Sequence, residues 1–183
     1  MTRAAEATLG DRLARRVLDA LGLLVIALML CIVVQVAANA AGLSTLIRFE
    51  TALPLLGRAV TINALMELQW HLLTVIGLLP AALVWAMDRH VRVDVLYAPA
   101  PVRARATIEL AGHALFTLPF LWFATPAGWA FAQRAWAVGE RSRDGGLTDR
   151  FLIKGVIPVA LALLLMVVAV DALRRVRDLW RGR

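Results

Sequence analysis

Residues 21–38, "LGLLVIALMLCIVVQVAA", hold a single polar amide, Gln35, in an otherwise apolar or thiol-bearing run. As a helix rising about 1.5 Å per residue, this run covers about 27 Å, close to the ~30 Å hydrocarbon core of a bilayer. Lipid offers no hydrogen bonds to an open backbone, so a run of this length must satisfy its own N–H and C=O groups as a helix. With its flank it predicts a membrane span over 17–38. Three further windows read the same way, at 66–87, 108–131 and 151–173. Composition agrees: 61% of the 183 residues are hydrophobic and mean hydropathy is +0.73, whereas a soluble domain is about half apolar. The expected fold is an all-α integral membrane protein with four transmembrane helices, forming a single membrane domain over residues 1–183.

The formal charge of +7 could suggest nucleic-acid binding, but its placement speaks for a membrane. Arg3, Arg12, Arg15 and Arg16 precede the first span, and Arg89, Arg92, Arg103 and Arg105 occupy the central connection. Arg174, Arg175, Arg177, Arg181 and Arg183 follow the last span. The other two connections hold fewer: Arg48 and Arg58 in the first, then Arg134, Arg141, Arg143 and Arg150 in the third. By the positive-inside rule both termini and the central connection are cytoplasmic. Cys31 is the only cysteine, so no internal disulfide can form. "AANA" (37–40) looks like a cleavage site, yet the apolar run exceeds the 7–15 residue core of a signal peptide. Retention of the first span is expected.

The connections differ in character. Leu9, Leu13 and Val17 fall at i, i+4 and i+8 among arginines and acids, which predicts an amphipathic interfacial helix over 3–18. The first outward connection, 39–65, is mainly apolar but broken by Arg48, Glu50, Pro54 and Arg58. It should either lie at the interface against a partner or fold back on its own helices. "GERSRDGGLTDR" (139–150) has turn composition.

Two histidines raise the question of chemistry. His71 follows Glu67 by four residues and His113 follows Glu109 by four, so each pair shares a helix face. Paired intramembrane histidines are a haem-anchor pattern, and the membrane anchor subunit of a haem-containing redox enzyme is the alternative reading. Topology opposes it: His71 lies near the outer surface and His113 near the inner one, about 15 Å apart in depth. Neither a span serine at histidine depth, nor a phosphate-binding glycine loop, nor zinc-ligand spacing occurs. The expectation is a non-enzymatic subunit without a cofactor, metal or catalytic site.

Three segments are specific. "ELQWHLL" (67–73), "DRHVRVDVLYAPAPVRARATIEL" (88–110) and "GERSRDGGLTDRFLIKGVIP" (139–158), in this order within four spans, resemble the small (Q-type) membrane subunit of tripartite ATP-independent periplasmic (TRAP) transporters. The resemblance implies a multi-pass protein of the bacterial inner membrane. It would scaffold a large membrane subunit for sodium-driven symport of an organic acid or similar solute, delivered by a periplasmic solute-binding protein. The first connection is longer than usual for that family. Candidate partner contacts are Glu67, Gln69, Trp70 and His71 at the outer end of the second span, with Arg89, His90, Arg92, Asp94 and Tyr97 after it. In 88–97 the alternation puts Val91, Val93 and Val95 on one side and His90, Arg92 and Asp94 on the other. That pattern suits a clip against the large subunit, with arginines also held by membrane lipids. Residues 88–97 begin where the second helix leaves the inner leaflet, and Pro99 and Pro101 should stop any helix that continues past them.

Overall fold

The structure, a computed structural model, describes residues 9–90, 99 and 101–180. Four helical stretches are long and apolar enough to cross a membrane: Ala14–Ala40, Ile62–Ala86, Ala104–Ala137 and Phe151–Trp180. Each contains nearly all of an expected span. The described residues divide into two compact units. One holds the chain up to Gly77 with Gly139–Arg150; the other holds Leu78–Val138 and the chain from Phe151 on.

In the first unit, α1 runs Leu9–Ala40 without a break. The described part of the amphipathic segment therefore continues directly into the first span, while residues 3–8 lie outside the described residues. The helix ends in a Schellman turn. Gly42 takes φ +71, its N–H bonds the Asn39 carbonyl, and the Leu43 N–H bonds that of Ala38. Then comes a feature absent from the sequence reading: an antiparallel hairpin of β1 (Thr45–Leu53) and β2 (Gly57–Thr61), pairing Arg48 with Ala59 and Leu53 with Gly57. The expectation of an apolar interfacial segment did not foresee strands, because no strict period of two runs through it. Helix α2, Ile62–Leu78, starts on a Thr61 cap, whose Oγ1 accepts the Ala64 N–H at 3.0 Å. It buries Ala64, and its Leu65 carbonyl takes the Cys31 thiol of α1 at 3.5 Å.

The second unit begins with the short helix α3, Ala81–Ala86, led by Pro80. Its end falls where the expected second span, 66–87, ends. The helix stops at Ala86 because Asp88 adopts φ +55 and closes a second Schellman turn, with Arg89 N–H on the Val84 carbonyl and Asp88 N–H on that of Trp85. The third span is composite: α4 (Val102–Gly112), a π-helical turn (His113–Thr117) and α5 (Leu118–Ala137). Pro119 has no N–H for the carbonyl four residues back, and the wide turn just before it accommodates that loss. Helix α6 spans Phe151–Trp180. It packs on α5 at Gly128, and Leu121 and Ala135, one heptad to either side, are buried. A Cβ on Gly128 would rest 3.4 Å from Ile157 and 3.6 Å from the Pro158 backbone, the close approach that small residues permit in membranes. Trp136 and Phe151 close the pair edge to face at 4.4 Å, and Lys154 sits 4.1 Å over the Phe131 ring.

Candidate functional site

The first unit centres on Glu67. It lies one turn inside α2, where the Thr61 cap fixes the helix start. Its carboxylate reaches the third connection: Oε1 accepts the Ser142 hydroxyl at 2.6 Å and Oε2 the Leu147 N–H at 2.9 Å. Asn63 donates to the Asp144 carbonyl and Thr61 to that of Gly145, both at 2.7 Å. Residues 139–150 thus form a folded loop rather than an open turn. Its neck is tied by Arg150 N–H on the Glu140 carbonyl, its middle by Ser142 N–H on that of Leu147. Leu147 itself is fully buried.

The same loop grips the hairpin. Leu55, at the turn, has φ +68, a strained conformation for a branched side chain. Both its backbone groups are held: the N–H by Asp149 Oδ2 at 3.1 Å and the C=O by the Thr148 N–H at 2.8 Å. The first and third connections are therefore joined to each other by hydrogen bonds. Of the two fates open to the apolar connection, it folds back at least in part.

Gly146 leaves the space that the Glu67 carboxylate occupies. A Cβ there would come within 2.5 Å of the Glu67 carboxyl carbon, which two hydrogen bonds hold in place. Gly146→Ala is expected to loosen the loop by about 1–3 kcal/mol and to speed tryptic cleavage at Arg141 or Arg143. Gly155→Ala, where a Cβ meets nothing within 4 Å, should leave cleavage unchanged.

The neighbouring candidates play different parts. His71 Nδ1 donates to the Glu67 carbonyl at 2.6 Å, so the i, i+4 spacing joins the imidazole to backbone and not to the carboxylate. Gln69 lies beside the Cys31 thiol of α1, and among the described residues the buried His71 Nε2 has no hydrogen-bond partner. Trp70 points outward, 67% exposed, at a depth suited to an interfacial anchor.

A second cluster lies within the other unit. Arg175 pairs with Glu109 across from α6 to α4 and with Asp171 one turn back at 2.9 Å. His113 Nε2 is 3.9 Å from the same Asp171 oxygen, and the His113 ring lies 5.3 Å from that of Trp85. Trp85 also meets the ring of His90 at 4.9 Å. Arg89 and His90 are exposed. Arg92, Asp94 and Tyr97 fall outside the described residues, as does most of the expected clip. Among the described residues no three His, Cys, Asp or Glu side chains are grouped to hold a metal ion.

Sequence reasoning found Glu67, Glu109 and both span histidines but missed Ser142, Gly146, Leu147, Asp149 and Asp171. It also took Arg175 for a topology charge alone. The glycine pair at 145–146 and the acids within a basic tail were the only local hints.

A family model described as "Tripartite ATP-independent periplasmic transporters, DctQ component" matches residues 51–178. The match takes in Glu67, the 139–150 loop and the Arg175 cluster, while most of β1 precedes it. No curated protein matches the chain.

Proposed function

Since the chain belongs to the DctQ component family of tripartite ATP-independent periplasmic transporters, the small membrane component of such systems, we propose that it scaffolds the large membrane subunit. In this reading the complex lies in the bacterial inner membrane and drives uptake of an organic acid or similar solute with an ion gradient, sodium by resemblance. A periplasmic binding protein delivers the solute, and the chain performs no catalysis of its own.

The observation that carries the reading is the apolar surface left uncovered. Leu23, Ile26, Leu30 and Val33 recur at helical spacing along α1 and are 54–67% exposed. Phe116, Phe120 and Phe123 form a second stripe, 65–74% exposed. Glu67, Glu109, Asp149, Asp171 and Arg175, in contrast, tie the chain's own elements together. A subunit that spends its polar side chains on its own fold and presents apolar helix faces fits a packing role, with lipid covering what the partner does not.

The test is uptake by proteoliposomes. Full-length chain alone is expected to give no solute accumulation under a sodium gradient, while chain, large subunit and binding protein together give accumulation. Uptake by the chain alone, or full uptake by the other two parts without it, would overturn the scaffold reading.

A further inference from the structure

Helix α6 leaves one long face uncovered. Val159, Leu163, Met166, Val170, Leu173 and Trp180 are 41–87% exposed, while Pro158, Ala160 and Val168 on its other side are buried. The exposed positions advance by alternating steps of four and three, with Arg177 standing between Leu173 and Trp180 in the same rhythm. That is a repeat of 3.5 residues, the seam along which one helix packs on another. We propose that this seam docks a transmembrane helix of the large membrane subunit, one whose cytoplasmic end places a carboxylate against Arg177. The inference rests on the scaffold reading above and names a contact surface for it.

Depth excludes lipid as the whole cover. Phe151 begins α6 directly after the polar loop, and about 30 Å of helix, the thickness of the hydrocarbon core, ends at Asp171. Leu173 and Trp180 lie about 33 and 44 Å along the helix. Headgroups add only about 5–8 Å on each side, so the last turns of α6 project past them. Inside the bilayer, lipid tails cover an apolar seam as well as a protein does. Beyond it the seam continues unchanged to an exposed indole, and only a second protein surface removes that from water.

Charge excludes a second copy. Two copies share one orientation in the membrane, so their α6 helices would meet in parallel and set Arg177 against Arg177. Asp178, 3.7 Å from Arg177, is one position round the helix and off the seam. Like charges facing each other across a seam disfavour that pairing. A carboxylate in the same place bonds the guanidinium through two N–H groups. The occupant is therefore a different helix, apolar through the bilayer and acidic where it leaves it.

The experiment is photocrosslinking in membranes from cells that co-express the full-length chain with its large subunit, benzoylphenylalanine standing at position 180. The expected result is a crosslink to the large subunit, on a peptide that holds an Asp or Glu at the end of a span. Co-purification is the second readout. Arg177→Glu and Leu173→Glu should each lower the yield of large subunit by about tenfold or more, and Arg177→Lys should retain most of it. Neither position belongs to the buried face of α6, so the folded yield of each variant purified alone should hold. A crosslink to a second copy, to another part of the same chain or to nothing would overturn the proposal. So would wild-type yield in either glutamate variant. Where those results come with normal uptake by the assembled transporter, the scaffold reading survives and only this surface is wrong. If the wild-type chain and large subunit do not co-purify, both fall.

Discussion

Arg175→Ala is expected to destabilise the chain more than any other single arginine truncation among the described residues, by about 3–5 kcal/mol. Arg175 is 27% exposed and faces Glu109 at 13% and Asp171 at 29%. Taking it away leaves two carboxylates near each other without the cation that ties α4 to α6. Breaking the pair from one side is costly because Glu109, 13% exposed, has little water to replace the lost cation. Arg177→Ala is the comparison: Arg177 is 60% exposed and only 3.7 Å from exposed Asp178, a pair worth about 0–1 kcal/mol. Loss of helical circular dichroism on heating in detergent marks unfolding. A much lower transition temperature for Arg175→Ala than for Arg177→Ala is the expected outcome; equal shifts would mean the cluster contributes little. Combining Arg175→Met with Glu109→Gln should recover part of the loss, since it removes one stranded charge.

The second large effect belongs to Glu67→Lys. The wild-type carboxylate accepts two hydrogen bonds, from the Ser142 hydroxyl and the Leu147 N–H. Bonds to a charged group contribute about 1.5–3 kcal/mol each, so their joint loss should cost the 139–150 loop about 3–6 kcal/mol. Lysine cannot accept from either donor. The loop also holds Leu55 in its strained turn, so the hairpin should loosen with it. Limited proteolysis should show faster cleavage in both 45–61 and 139–150. Uptake by the assembled transporter should fall further than with Trp70→Phe, which alters only an outward-facing ring. Wild-type proteolysis and transport in Glu67→Lys would exclude an organising role for this carboxylate.

The four spans were legible in the sequence because the cost of putting backbone and side chains into lipid is nearly local. Each window carries its own answer in length and apolar content, and neighbouring helices hardly change it. The same holds for the likeness of 67–73, 88–110 and 139–158 to the small TRAP subunit, carried by residue identity in order along the chain. What Glu67 and Arg175 bond to was not local. Ser142 and Leu147 lie 75 and 80 residues from Glu67, and Glu109 is 66 positions before Arg175. The i, i+4 spacing correctly put Glu67 and His71 on one face, but the carboxylate turned to the loop and the imidazole to a carbonyl. Nor could composition show the hairpin, whose strands are held together by cross-strand pairing and a loop from the far end of the chain. Helix ends depended on single φ angles at Gly42 and Asp88. Hydrophobic burial in lipid is additive along the sequence, so the sequence alone determined which segments cross. Hydrogen bonds and ion pairs require two groups to meet, so only the tertiary structure decided which polar residues organise the protein.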